Sequence, residues 1–247
     1  MKKEYRLNID PRILELLGPN LYTNIYYVLA ELIANAFDAD ATDVYIVSNE
    51  SEIRIEDNGN GMSYENGEVN KYLNIGGISR TDEENSYTPI FKRRKMGRKG
   101  IGKLAALSIS ANIDIMTITE TGEKSGFILS HTPKNNGILE EIPDSKINFL
   151  YIQRKGTAIV MQEPKYKLSE NIDTIRRNLL KIFPMVNNDF CIHIVRGNQT
   201  TDIRDFDTTI MKELCAIITL GKDFKYLSEK VEDVFPNRKD ELKENRN

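Results

Sequence analysis

The sequence predicts an α+β domain, a two-layer sandwich in which helices cover one face of a mixed, mostly antiparallel β-sheet. Three observations lead to this fold class. An apolar stripe with helical spacing runs through residues 21–38. Short segments of alternating apolar and polar residues then follow in pairs joined by polar turns, which is typical of hairpins. Strands and helices do not alternate regularly, which disfavours a parallel βαβ architecture.

Composition limits the classes of protein that the chain can belong to. The chain has 247 residues, of which 40% are hydrophobic and 29% charged, the balance of a globular domain with ample core. The net charge of −3 gives no overall basic field, so nucleic acid is not expected as the main ligand. No apolar run is long enough for a membrane span. Cys191 and Cys215 are too few for a disulfide framework, and a cytoplasmic location is expected.

The first half of the chain contains one long helix and two strands. The helix covers residues 21–38, because apolar residues recur there at steps of three and four. Two alternating strands follow at residues 43–49 and 52–57, joined by a polar turn. A glycine-rich break covers residues 58–62, and a short helix is expected near residues 69–75.

The second half begins with the least regular stretch of the sequence, residues 76–102, which is long enough to suggest a functional loop. Further helices are expected at residues 103–110, 172–183 and 209–220, and strands at 112–119, 125–131, 147–153, 157–162 and 190–196. The domain boundaries follow from these elements. We expect an N-terminal segment at residues 1–20, the main domain at 21–220 with a lid at about 76–100, and a polar tail or the start of a linker to a missing domain at 221–247.

Three polar residues of the first helix lie on one helical face. Glu31, Asn35 and Asp38 are spaced by four and three residues, so their side chains project together beside the apolar stripe. An amide oxygen together with phosphate oxygens suits a hydrated Mg²⁺ ion, and a nearby carboxylate suits a general base. The alternative is an ordinary solvated helix face.

A second polar group follows the second strand. Asp57 ends the strand, and Gly59 and Gly61 come directly after it. A carboxylate fixed at a strand end can accept a hydrogen bond from an amine such as that of adenine. The glycines let the main chain approach a flat ring. The alternative is an ordinary Asp-Asn-Gly turn.

The stretch MGRKGIGKLAALS resembles a P-loop, but two features argue against that interpretation. The spacing from Gly97 to Gly102 and Lys103 matches the signature, yet Leu104 replaces the hydroxyl that would bind magnesium. The preceding residues are also too basic for a buried strand. Glycines before a helix still expose N–H groups to an anion, and Lys99 adds positive charge. A plain glycine turn is the alternative.

The order of these segments resembles the GHKL ATPase superfamily, which includes DNA gyrase B, MutL, the large heat-shock chaperones, histidine kinases and the MORC proteins. Each motif is weak alone, but four in this order are specific. They are similar to the N-box, the D-x-G-x-G motif, the G-x-x-G-x-G loop and the Gly-Thr strand of that superfamily: ELIANAFDADAT (31–42), IEDNGNGMS (55–63), GRKGIGK (97–103) and KGTAIVM (155–161).

The resemblance implies the Bergerat ATP-binding fold and a role for each matching position. Glu31 would be the general base and Asn35 the Mg²⁺ ligand. Asp57 would accept a hydrogen bond from the adenine amine, with Thr157 assisting through a water. The remaining residues expected to bind the nucleotide are Asp38, Gly59, Gly61, Met62, Gly97, Lys99, Gly100, Ile101, Gly102 and Lys103, the two lysines on the basis of charge alone.

Three functions remain open at this point. The first is Mg²⁺-dependent hydrolysis of ATP, with ATP or ADP as ligands and with lid closure coupled to homodimerisation or to the action of a partner. The second is a nucleotide-gated binding module with negligible hydrolysis. The third is a DNA-associated ATPase subunit, supported only by the basic runs FKRRK and TIRRNLLK. The kinase branch is disfavoured, because no histidine precedes the first helix.

Overall fold

A single mixed sheet organises the part of the chain that the structure describes. The computed structural model describes residues 3–8, 22–74, 86–96, 102–131, 137–183 and 189–204. The strands within these residues are β1 (Asp43–Ser48), β2 (Glu52–Asp57), β3 (Asn112–Ile118), β4 (Lys124–Ser130), β5 (Glu140–Glu141), β6 (Gly156–Gln162), β7 (Cys191–Arg196) and β8 (Gln199–Ile203). Their spatial order is β5-β4-β3-β6-β2-β1-β7-β8.

The sheet is antiparallel except at one strand pair. β1 pairs in parallel with β7, whereas the other neighbouring strands pair antiparallel. Hairpins join β1 to β2, β3 to β4 and β7 to β8, as expected for strands linked by short polar turns. The α+β fold class and the mixed, mostly antiparallel sheet predicted from the sequence are therefore confirmed.

The first helix, α1 (Ile25–Asp38), carries the predicted apolar stripe. Asn24 caps its N-terminus, where the side-chain oxygen accepts a hydrogen bond from Tyr26 N at 2.9 Å. Seven residues of one face are buried: Ile25, Val28, Leu29, Leu32, Ile33, Ala36 and Phe37. The other α-helices within the described residues are α2 (Glu68–Leu73) and α3 (Ile172–Ile182), and α3 packs against α1.

Alternation along β2 places two carboxylates on opposite faces of the sheet. Ile53, Ile55 and Asp57 share one face, and Arg54 and Glu56 share the other. All five side chains are buried, so both faces of this central strand are covered. The sheet consequently offers two separate polar environments at the end of β2.

The segment 147–153, predicted as a strand, is not one. The Glu56 carboxylate accepts hydrogen bonds from the backbone N–H groups of Leu150 and Tyr151, at 2.7 and 2.8 Å. The Arg54 side chain binds Asn148 O at 2.5 Å and Glu56 at 2.5 Å. Because these N–H groups already donate to a buried side chain, they cannot form the hydrogen bonds of a β-strand. The segment is therefore a loop.

The remaining predicted elements that fall on described residues agree with the structure except in detail. The stretch expected to be helical at residues 103–110 is a 3-10 helix, Gly102–Ser108. The strands β5 and β8 and the short 3-10 helix Asp144–Lys146 were not predicted. The helix expected at residues 209–220 and most of the expected lid lie outside the described residues. Among the described helices, none has the length and apolar character that a bilayer crossing requires.

Candidate functional site

The site is built around Asp57, the last residue of β2. Asp57 pairs with Val44 of β1 and Thr157 of β6, and its side chain is buried, with 8% of the residue exposed. Its Oδ1 accepts a hydrogen bond from Gly59 N at 2.9 Å. Burial raises the pKa of Asp57 to about 7, an effect that the neighbouring Glu56 charge reinforces. A buried carboxylate with few protein partners is suited to accept a hydrogen bond from a ligand.

Two glycines allow the main chain to close tightly around Asp57. Gly156 has φ 141°, and a Cβ there would overlap the carbonyl of Asp57. Gly61 has φ 69°, and a Cβ there would overlap the carbonyl of Ile118. Both backbone conformations are unfavourable for residues with a side chain. The turn after β2 thus depends on glycine to approach the end of β3, and the start of β6 depends on glycine to approach the end of β2.

A hydroxyl group connects this turn to the sheet. Thr117 Oγ1 accepts a hydrogen bond from Met62 N at 2.8 Å and donates one to Gly156 O at 3.0 Å. In the register of the sheet, Thr117 lies opposite Thr157. Thr117, which sequence analysis did not identify, therefore links Met62 to the start of β6, where the predicted residue Thr157 lies.

Glu31 lies on α1 against the start of the 3-10 helix. A Cβ on Gly102 would overlap Glu31 Oε2, so the carboxylate reaches the end of the glycine-rich loop only because residue 102 is glycine. The Tyr22 hydroxyl hydrogen bonds to the same carboxylate. Burial, together with the charge of Glu31, raises the pKa of Tyr22 to about 12. Glu31 is therefore in contact with the predicted phosphate loop and is held by a tyrosine.

Asn35 and Asp38 follow Glu31 along the same helix. Both are half-buried. Asp38 Oδ1 accepts a hydrogen bond from Met96 N at 2.8 Å, so this carboxylate attaches the residue that directly precedes the glycine loop. Within the described residues, the structure gives no hydrogen bond to the Asn35 side chain, which leaves its amide oxygen available to a ligand.

Asp40, just beyond α1, holds the same neighbouring segment. Its two carboxylate oxygens accept hydrogen bonds from Ile90 N at 2.9 Å and Phe91 N at 3.1 Å. Burial works to raise the pKa of Asp40, but the hydrogen bonds from Thr88 and these N–H groups outweigh it and hold the pKa below its ordinary value. Asp38 and Asp40 together fix residues 86–96 to the C-terminal end of α1.

Arg93 completes this attachment. Its guanidinium donates to Ala41 O at 2.5 Å and Asp189 O at 2.7 Å and lies 4.7 Å from the Phe37 ring centroid. The basic run FKRRK is therefore partly built into the fold rather than presented to solvent.

The structure places some of the predicted residues close together. It brings Asp57, Gly59, Gly61, Met62 and Thr157 together at the end of β2, and it brings Glu31 against Gly102. Outside the described residues lie Gly97, Lys99, Gly100, Ile101 and the side chain of Lys103.

Sequence reasoning missed three residues of the site, namely Tyr22, Thr117 and Gly156. Gly156 lies directly before Thr157 in the quoted Gly-Thr motif, so the sequence did contain a signal for it. Thr117 lies in an ordinary alternating strand and Tyr22 just before a helix, and no local pattern distinguishes either of them.

A helix-covered, mostly antiparallel sheet with a buried aspartate, glycine turns and a helical glutamate beside a glycine-rich loop defines a nucleotide-binding class of α+β domain. Residues 22–157 match the family described as histidine kinase-, DNA gyrase B-, and HSP90-like ATPase. The match covers more than half of the chain, and the protein belongs to this family.

A curated relative gives a second point of comparison. The chain is 35% identical over 221 residues to a protein of Herpetosiphon aurantiacus named "Putative type II restriction enzyme HgiDII". The aligned region is 88% of this chain but 35% of the relative. This chain therefore spans about a third of the length of that relative.

Proposed function

We propose that this protein binds ATP and hydrolyses it in a Mg²⁺-dependent reaction. The observation that carries the proposal is the buried Asp57 carboxylate, enclosed by glycine turns in a domain of an ATPase family. In this arrangement Asp57 accepts a hydrogen bond from the adenine amine, and Thr157 lies beside it in the sheet register. Gly59 and Gly61 leave space for the flat ring.

Glu31 is the proposed general base. A carboxylate against the end of a glycine-rich loop can take a proton from a water that attacks the terminal phosphate. Bound Mg²⁺ would supply charge neutralisation on the phosphates, and the Asn35 amide oxygen is the protein ligand proposed for it. The contact between Glu31 and Gly102 supports this division of roles.

The proposed reaction is tested by steady-state phosphate release from ATP by the purified chain, with and without Mg²⁺. We expect turnover that requires Mg²⁺, together with ATP binding measured by calorimetry. GTP serves as the control, because its base presents a carbonyl where adenine presents the amine, and it should bind more weakly. Equal affinity for ATP and GTP would contradict the role of Asp57.

A nucleotide-gated binding module with negligible hydrolysis is the second candidate. It is favoured by the hydrogen bond that the Tyr22 hydroxyl donates to Glu31, because this bond engages the carboxylate that would otherwise accept a proton from water. Under this candidate, ATP binds with the expected preference over GTP, but phosphate release stays at the level of a buffer control in the presence of Mg²⁺. Substantial Mg²⁺-dependent release would eliminate it.

Coupling of ATP binding to dimerisation is a further part of the proposal. Asp38 and Asp40 fix residues 86–96 to α1, so a nucleotide held by the adjoining glycine loop could act on this segment. Light scattering with a non-hydrolysable ATP analogue tests it. The molar mass should double with the analogue and should remain that of a monomer with ADP. A molar mass that the analogue leaves unchanged would reject the coupling.

A DNA-associated function is the third candidate. It is favoured by the 35% identity to a protein named as a putative restriction enzyme. The basic runs give it little support, since Arg93 binds backbone carbonyls and Arg176 pairs with Asp173 at 3.2 Å. Binding of duplex DNA over a series of salt concentrations tests it. A steep salt slope supports the role, and no binding at low salt rejects it for this chain.

A further inference from the structure

Strand register gathers a group of potential metal ligands on the face of the sheet that does not carry Asp57. In the parallel pair of β1 and β7, Asp43 lies opposite Cys191 and Tyr45 opposite His193. In the antiparallel pair of β7 and β8, His193 lies opposite Asp202. Asp43, Cys191, His193 and Asp202 therefore lie together across three neighbouring strands.

The distances within this group are short. His193 Nε2 lies 2.9 Å from Asp43 Oδ1, and His193 Nδ1 lies 2.7 Å from Asp202 Oδ1. A carboxylate oxygen of Asp43, a ring nitrogen of His193 and Cys191 Sγ all lie within 4.8 Å of one another. Ligand atoms around a tetrahedral zinc ion are separated by about 3.4 Å, so small side-chain rotations bring these three to bonding distance.

We propose that Asp43, Cys191 and His193 bind a divalent transition-metal ion of the zinc type. Thiolate, imidazole and carboxylate are the ligands that Zn²⁺ prefers in proteins. In the proposed site Asp43 Oδ1, Cys191 Sγ and His193 Nε2 are the protein ligands, and water completes the coordination. Cys191 is a free, buried thiol, as a ligand from the protein interior should be.

Asp202 acts as the positioning residue of this site. Its Oδ1 accepts the hydrogen bond from His193 Nδ1–H and so directs Nε2 toward Asp43 and Cys191. A carboxylate behind a metal-bound histidine commonly fixes the ring in this manner. The ring is also held by stacking on Tyr45, with centroids 4.3 Å apart and planes 13° apart.

Asp43 is held by residues besides His193. Its Oδ2 accepts hydrogen bonds from the Thr42 hydroxyl at 2.8 Å and from Asn58 Nδ2 at 3.0 Å. Its Oδ1 hydrogen bonds to His193 Nε2 at 2.9 Å, so the metal would enter between these two atoms and replace the bridging proton, which is released to solvent. Asp43 and Asn58 also line a cleft of about 390 Å³ together with Tyr45 and Tyr151. The cleft exposes Asp43 to solvent, so an ion and its water can reach the ligand that lies 2.9 Å from His193.

Titration of the metal-free full chain with Co²⁺ tests the site. The wild type should show tetrahedral Co²⁺ absorption and a thiolate-to-cobalt charge-transfer band, and Zn²⁺ should displace the Co²⁺ and raise the melting temperature. Cys191→Ser should remove the charge-transfer band. Cys215→Ser is the matched control and should keep it.

The Asp202→Asn variant distinguishes a metal-binding role of His193 from a purely structural one. It should leave the charge-transfer band in place and weaken metal affinity by roughly 10–100-fold, and circular dichroism checks that the variant folds. The proposal is overturned if Co²⁺ produces no charge-transfer band in the wild type and neither Co²⁺ nor Zn²⁺ raises its melting temperature. It is also overturned if Cys191→Ser gives the wild-type spectrum, or if Asp202→Asn binds metal as tightly as the wild type.

Discussion

Asp57 combines two properties that oppose each other. Its burial favours the neutral carboxylic acid, with a pKa of about 7, whereas an adenine amine is held best by the ionised form. Sequence reasoning identified this residue from its position at the end of an alternating strand. It could not identify the burial, which depends on the neighbouring strands β1 and β6, distant in sequence, that flank Asp57 in the sheet.

The raised pKa of Asp57 predicts how stability depends on pH. The folded state holds this proton up to about pH 7, while the unfolded chain releases it near the ordinary value of 3.8. The stabilising contribution is therefore fully present below pH 3.8 and is lost as pH rises toward 7, at about 1.4 kcal/mol per pH unit.

Asp57→Asn removes this titration and keeps an Oδ1 for Gly59 N. In urea unfolding, the stability of Asp57→Asn minus that of the wild type should increase between pH 5 and pH 7 and then level off. A difference that does not vary over this range would show that Asp57 is not buried as described.

Tyr22 offers a second test at the level of one hydrogen bond. Its hydroxyl donates to the Glu31 carboxylate and so occupies an acceptor site that the attacking water needs. Tyr22→Phe should therefore raise the rate of phosphate release severalfold without changing ATP affinity. Tyr27→Phe, at an exposed position of α1, is the control. A lower rate in Tyr22→Phe would mean that the tyrosine positions the base instead.

Among the glycines that the structure describes, Gly156 at the start of β6 is the one that a side chain would disturb most. Gly156→Ala combines an unfavourable φ of 141° with overlap on the Asp57 carbonyl, and should cost roughly 3 kcal/mol or more of unfolding free energy. Gly122→Ala is the matched control, because it has φ 82° but open space around it, and should cost about 1–2 kcal/mol. Equal losses in denaturant unfolding would contradict the packing at Gly156.

The elements that sequence reasoning predicted are those whose signal is local. α1 has a complete apolar stripe, and β1 to β4 have alternation and clear turns, so all five were found close to their observed bounds. The segment 147–153 has strand-like composition, but Glu56, about ninety residues earlier in the chain, takes its N–H groups. That competition is a tertiary effect, and no window of sequence contains it.

At the scale of the whole molecule, one sheet supports two separate polar sites. The four motifs in order predicted the Asp57 side, because each motif leaves a local signature. The cluster of Asp43, Cys191, His193 and Asp202 was not predicted, because only the pairing of β1, β7 and β8 brings Asp43 beside Cys191 and His193. Spacing alone does not reveal ligands gathered by strand register.

One experiment separates the two proposed properties of this domain, ATP binding and activation of the attacking water by Glu31. The most direct measurement compares wild type and Glu31→Ala in parallel, with ATP affinity from calorimetry and phosphate release at saturating ATP and Mg²⁺. We predict unchanged ATP affinity and a loss of phosphate release of roughly 10²–10⁴-fold. Phosphate release by Glu31→Ala at the wild-type rate would contradict the account.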